Sequence, residues 1–320
     1  MKLGAALCLC LLAGIPSLVE AQSVQEGIAL AGKGQLEEAK KVFEAVIKSD
    51  EKNAEAHYRL GRIFLTRSFR DEDGAVDQME QAVEIDQSNA DYEYGLGQAY
   101  GMKAQNAGVF KQVFLAPKVR KAFEKAVTLD PRHFEARAGL AQYYFQAPGI
   151  MGGDREKAWK EADTMIVLDE VRGRAFKARL LEVDKKPEEA EEEYKTLLAH
   201  RPESWKAWQT AGVHYLREKR TDDAIRCFER YTRLRPDTAH SFYLLAWAYL
   251  QKKDAEGALG AVKKSFALDP DYAPGFNVLA QAYELKGQKK EARESYERML
   301  KGDLNPEQRK NIEQKIKELE

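Results

Sequence analysis

The sequence predicts an all-α solenoid, a stack of about eight helix pairs closed by a C-terminal helix. Pro202, Pro236 and Pro270 stand 34 residues apart, and Ala190, Ala224, Ala258 and Ala292 keep the same interval. Between them, apolar residues recur at i, i+3 and i+4, the spacing of one helix face. A fixed period of about 20–50 residues marks a repeat array: no single unit can bury its apolar face alone, so neighbours must stack. Such an array presents surface, which points to holding partners and away from chemistry.

The units can be read in order. Residues 205–236 give Trp208, Ala211-Gly212, Tyr215, Ala224, Phe228 and Pro236. The next gives Phe242, Leu245-Ala246, Tyr249, Ala258, Val262 and Pro270, and the one after gives Phe276, Leu279-Ala280, Tyr283, Ala292 and Tyr296. Towards the N-terminus come Arg174, Lys177-Ala178, Leu181, Ala190, Tyr194 and Pro202, then Arg137, Leu140-Ala141, Tyr144 and Ala158. Leu96-Gly97, Tyr100, Phe123, Ala126 and Pro131 precede these; Leu60-Gly61, Phe64, Ala75, Met79 and Ala82 precede them in turn, and the first unit is Gly27, Leu30, Ala39 and Phe43. Small residues such as Gly212 and Ala224 are expected to face each other across a pair, where only a minimal side chain admits close backbone approach. Each proline ends the second helix, because it has no N–H to donate and biases its predecessor away from helical geometry.

This pattern resembles the tetratricopeptide repeat, whose spacing is Trp, Leu-Gly, Tyr, Ala, Phe and Pro. The resemblance covers nearly all of the chain after residue 22. It implies a right-handed α-solenoid in which the first helix of each unit lines a concave groove.

The first 21 residues are expected to lie outside the fold. Lys2 precedes an apolar run from Leu3 to Ile15, followed by Pro16 and Val19-Glu20-Ala21, the layout of a secretory leader cut before Gln22. The run is shorter than the roughly 20 residues a spanning helix needs. Export to a periplasm or the medium is therefore expected, with no stable membrane insertion afterwards. A lipid-attachment reading of Cys8 or Cys10 fails because Leu7 and Leu9 hold the positions where a small residue is needed. Cleavage would leave Cys227 as the one cysteine, on the stripe of Ala224, Phe228 and Tyr231 and so expected to be a buried, inert thiol; an intermolecular role is the sharper alternative. No cofactor or metal is expected: His57, His133, His200, His214 and His240 are scattered without ligand spacing.

With 51 basic and 52 acidic residues, the chain has the balanced, charge-laced surface of a helical array. That is neither a nucleic-acid nor a membrane footprint. The exception is Lys103 to Arg137, where eight basic residues meet three acidic ones; a solvated face is the favoured reading, a patch for an acidic partner the alternative.

Two units depart from the period. Gly97 to Val119 spans 22 steps where regular units have 12, a gain of ten residues around Asn106–Leu115, and Ala147–Asp154 gains five. Both insertions are expected as expanded turns, near 103–117 and 147–154, side by side along one rim. Their apolar residues Val109, Phe110, Val113, Phe114, Leu115, Ile150 and Met151 are expected to pack on one another; the alternative is a rim docking knob carried by Phe110, Phe114, Ile150 and Met151. Gly152-Gly153-Asp154 lacks the Lys-Ser/Thr of a phosphate loop, and Asp154 reads instead as a helix N-cap. Asn305-Pro306 starts a terminal helix over 305–320, whose Ile312, Ile316 and Leu319 cover the last unit of a solenoid spanning 22–304.

By the resemblance, the groove is lined by Tyr58, Arg62, Tyr94, Gln98, Gln142, Phe145, Arg179, Gln209, Tyr243, Trp247, Asn277 and Gln281. Amides and aromatic faces suit an extended peptide; some of these aromatics can equally pack between units. The lysine–asparagine clamp that some family members use on a terminal carboxylate is not matched by Tyr58, Arg62 and Gln98. The function expected is an exported, non-catalytic scaffold for protein or peptide partners. A self-associating envelope subunit, a homo-oligomer, is the alternative, and a small-molecule or catalytic groove is a third, for which no paired carboxylates or triad recur on a shared face.

Overall fold

The computed structural model describes residues 16–302, 304 and 306–320. The first 15 of the 21 residues of the expected leader and the Asn305 cap lie outside the described residues, while the leader's last six, expected outside the fold, are helical. The chain divides into two compact units, one ending at Leu168 and the other beginning at Asp169.

The N-terminal unit holds four helix pairs: α1 (Pro16–Gly32) with α2 (Leu36–Ser49), α3 (Ala54–Phe64) with α4 (Glu72–Ile85), α5 (Ala90–Asn106) with α6 (Val109–Leu129), and α7 (Phe134–Gln146) with α8 (Arg155–Leu168). The C-terminal unit holds α9 (Glu170–Val183) with α10 (Pro187–His200), α11 (Trp205–Arg217) with α12 (Thr221–Leu234), α13 (Ala239–Gln251) with α14 (Ala255–Leu268), and α15 (Ala273–Leu285) with α16 (Lys289–Met299), followed by α17 (Pro306–Glu318). Among the described residues there is no strand. The all-α, eight-pair reading of the sequence holds.

Short polar residues start the helices. Asn53, Asp71, Asp169, Ser204 and Asp254 each accept a hydrogen bond from an amide in the first turn of α3, α4, α9, α11 and α14, meeting donors that have no intrahelical partner. Asp154 does the same for α8, accepting from Lys157 N at 3.1 Å. The helices ending at Leu234 and Leu268 stop two residues before Pro236 and Pro270, with the pre-proline residues Arg235 and Asp269 out of helical geometry.

The turns inside the regular pairs share one device. Lys185, Lys219, Lys253 and Gly287 have φ of +61°, +58°, +63° and +71°. The amide of the following residue reaches back to close the helix, as in Lys186 N to Leu181 O at 2.9 Å and Arg220 N to Tyr215 O at 2.8 Å. This is a left-handed C-terminal cap repeated every 34 residues.

Ala190, Ala224, Ala258 and Ala292 are fully buried. The nearest neighbour of Gly212 is the ring of Phe228, where a Cβ would come within 2.6 Å, and at the corresponding place in the second pair a Cβ on Gly61 would meet Met79 at 2.8 Å and Ala75 O at 3.2 Å. Gly27 under Phe43 and Gly97 under Phe123 repeat the arrangement. Neighbouring pairs are tied by tyrosines that donate to a glutamate on the preceding second helix, Tyr100 to Glu80, Tyr144 to Glu124 at 2.8 Å and Tyr249 to Glu229 at 3.4 Å. At the C-terminal end, Ile312 is buried against Ala280 and Tyr296, with Ile316 and Leu319 packed beside it, so α17 caps the last pair as its stripe predicts.

The first insertion is not an expanded turn. It lengthens two helices: α5 has 17 residues and α6 has 21, and only Ala107 and Gly108 separate them. Pro117 lies inside α6, where it removes one helical hydrogen bond. Most of the inserted apolar side chains do not bury one another: Val109, Phe110, Phe114 and Ile150 are 70–93% exposed and Val113 is also exposed, while Leu115 and Met151 are half-buried. The second insertion does form a turn, with one 3-10 turn at Gly149–Met151. Gly152 there has φ +88°, and a Cβ on Gly153 would overlap Ala147 O at 1.7 Å.

Candidate functional site

In the C-terminal unit, α11 and α13 and the turn before α15 bring together the strongest cluster of exposed and half-buried polar aromatics. The buried stripe of α13, from Leu244 and Leu245 to Ala248, fixes the rotation of the helix and leaves Tyr243 and Trp247, one turn apart, on its other side. Their rings stack with centroids 6.4 Å apart and planes 16° from parallel. Trp247 is 36% exposed. Tyr243 rests in turn on Tyr272, at 5.6 Å, and on His240, at 5.9 Å.

A hydrogen-bonded chain backs these rings. Gln209 Nε2 lies 3.1 Å from His240 Nε2, and His240 Nδ1 lies 2.8 Å from Tyr272 Oη. The amide nitrogen can only donate, so the imidazole Nε2 accepts and the ring carries its proton on Nδ1, donating to Tyr272. Burial lowers the His240 pKa and raises those of Tyr243 and Tyr272. The imidazole is therefore neutral and both phenols stay protonated at neutral pH. The arrangement offers flat apolar faces with hydroxyl and amide groups at their edge, suited to binding and holding no activated nucleophile.

The other expected groove residues divide. Arg62, Gln98, Gln142, Arg179 and Asn277 are exposed, and Tyr94, Gln209 and Gln281 are half-buried. Gln281 donates to Asn277 at 2.9 Å along its own helix. Tyr94 packs at a tilt against Phe123 at 6.0 Å and His133 at 5.1 Å. Tyr58 and Phe145 are corrected: they are 5% and 6% exposed and belong to the core. Tyr58 lies 5.0 Å from Tyr92 and fills the space over Gly95. Phe145 meets Trp159 edge-on at 5.5 Å, with Arg155 over its face.

Two members of the aromatic cluster, His240 and Tyr272, were missed by the sequence reading. His240 carries a signal, standing three residues before Tyr243 on the same helix face; Tyr272 lies at a helix start, where the period alone gives it no direction. A second feature also went unread: a cleft of about 520 Å³ along the turns of the same unit, lined by Glu182, Glu188, Glu191, His214, Glu218 and Arg220. Two of its carboxylates have basic neighbours. His214 Nδ1 lies 2.9 Å from Glu182 Oε1, stacked on Tyr194 at 4.1 Å, and Arg220 pairs with Glu191 at 2.7 Å. Cys227 is buried, which pushes its thiol pKa up to about 12 and leaves it inert. No helix among the described residues is long and apolar enough to cross a membrane.

Comparisons with known proteins agree with this architecture. A tetratricopeptide repeat family model matches residues 24–90, 177–225 and 210–273, and a second matches 273–303. No curated protein matches the chain. Among solved structures, the chain is similar to yeast Tom70, at 14% identity and a TM-score of 0.63, over all of this chain and 67% of that one. It is also similar to a thermophilic TPR protein of Thermus thermophilus, at 18% identity and a TM-score of 0.46, over 72% of this chain and 99% of that one. The family matches, the 34-residue period and the eight helix pairs give one conclusion: this chain belongs to the tetratricopeptide repeat family.

Proposed function

We propose that the protein is an exported, non-catalytic scaffold that holds an extended segment of a protein partner against the face formed by Tyr243, Trp247, Tyr272 and Gln209. The stacked, part-exposed Tyr243–Trp247 pair carries this reading. A large flat aromatic that is held rigid while still open to solvent supplies contact area at little entropic cost, which is the character of an interface hot spot. The Tyr272 hydroxyl, already accepting from His240, can turn its own hydrogen towards a peptide carbonyl. Arg179, Asn277 and Gln281 extend the polar lining in this unit, and Arg62, Tyr94, Gln98 and Gln142 provide a corresponding lining in the N-terminal unit. Export rests on the apolar leader read in residues 1–21, with release into a periplasm or the medium.

Selection of random peptides on the immobilised chain tests the proposal. Selected peptides should compete with one another and lose binding to a Trp247→Ala protein. Peptides recovered equally well on both proteins would place the binding face elsewhere.

A further inference from the structure

The N-terminal end of α6 carries the most exposed apolar surface in the described chain. Phe110 is 88% exposed, Phe114 78% and Val109 70%, and Ile150, on the 3-10 turn packed beside α6, is 93% exposed. This exposure is imposed by register. Ala116, Val119, Ala122, Phe123 and Ala126 form the buried face of α6, and rotating the phenylalanines inward would turn that face out. The solvent stripe then runs Phe110, Phe114, Lys118, Lys121 and Lys125, with Lys111 beside it, an apolar end followed by a basic one.

The chemistry of a partner follows from this pairing. Apolar side chains at one end of a lysine stripe are the pattern of a helix that lies in a membrane–water interface, with lysines meeting anionic headgroups and aromatic groups entering the acyl boundary. Three acids near this face are already engaged: Asp73 with Lys103, Glu80 with Tyr100 and Lys118, and Glu124 with Tyr144. A second copy would bring lysine stripe against lysine stripe. Side chains exposed to this degree also stand proud of the surface with no groove walls around them. A bilayer deforms to envelop such groups, whereas a protein partner would need a matching cavity.

We propose that the start of α6, together with Ile150, is a peripheral docking site for an anionic lipid surface. It lies in the N-terminal unit, on residues separate from the aromatic face of α13, and commits the rim residues to one occupant.

Co-sedimentation with vesicles of phosphatidylcholine, with and without phosphatidylglycerol, tests this. The chain from Gln22 serves, since it keeps every buried core residue from Val24 onward and removes the apolar leader as a competing anchor. Binding is expected with phosphatidylglycerol only, weakening as salt rises. The triple change Phe110→Ser, Phe114→Ser and Ile150→Ser should reduce it at least tenfold with an unchanged melting temperature, and Lys111→Glu with Lys121→Glu should reduce it comparably. Absent binding, equal binding to both vesicle types, or full binding by the serine variant would overturn the proposal. So would concentration-dependent dimerisation of the wild-type chain that the serine variant abolishes, which would assign the patch to a second copy. Loss of a captured protein partner by that variant, without vesicle binding by the wild type, would assign it to a protein.

Discussion

Gly212 lies directly beneath Phe228, so close that a Cβ at residue 212 would come 2.6 Å from Cε1 of the ring. The glycine is therefore set by the aromatic over it, which is itself wholly buried, and Ala224, one turn before that ring on the same helix, is wholly buried as well. Gly212→Ala should overpack the pair and cost about 1–3 kcal/mol, as should Ala224→Leu. Chemical denaturation of each variant measures this; an unchanged midpoint would mean that the helices separate without penalty.

The left-handed turn residues give a prediction of opposite sign. Lys219 and Lys253 hold φ of +58° and +63°, a conformation that costs a side-chain-bearing residue about 1–2 kcal/mol. Lys219→Gly and Lys253→Gly remove that cost while adding freedom to the unfolded chain. A net stabilisation of about 0.5–1 kcal/mol each is expected, read as a raised denaturation midpoint.

Stability should also depend on pH through two histidines. Burial lowers the pKa of His214 and of His240 below the ordinary 6.5, with Glu182 partly opposing this at His214. Well above 6.5 both are neutral, folded or unfolded. As pH falls below 6.5, the unfolded chain takes up the protons first, so stability is lost progressively towards the folded-state values. Urea midpoints measured from pH 8 down to pH 5 should decline below 6.5, and His214→Gln with His240→Gln should flatten that decline.

Cys227 should react with a thiol reagent only as the chain unfolds, since burial holds its pKa near 12. Labelling that is fast in native buffer and independent of denaturant would contradict its placement beside Phe228.

Much of this architecture was legible because it repeats. The 34-residue beat located the buried alanines, the proline-marked helix ends and, through Ile312, Ile316 and Leu319, the terminal helix. The αL residues lay on the same beat, with Gly287 as their visible marker, yet lysines at the other positions disguised it. The insertion was misread because Asn106-Ala107-Gly108 looks like the centre of a long turn; Ala107 and Gly108 only interrupt helix that continues on both sides. Tyr58 and Phe145 failed as lining residues because one helical position is about 100°, enough to separate groove from core. The His240–Tyr272 contact joins residues 32 positions apart and depends on how neighbouring pairs stack, which no local pattern reports.

Trp247→Ala is the most direct test of the central claim, with affinity for a selected peptide and melting temperature measured on the same protein. The account predicts about 2 kcal/mol of lost binding, the scale of a hot spot. The loss of stability should be smaller than the roughly 3–5 kcal/mol of a core aromatic, because the ring is 36% exposed and stacks on Tyr243 at the surface. Wild-type affinity in the variant, or a collapse of its fold, would contradict the assignment of this aromatic face as the surface that holds the partner.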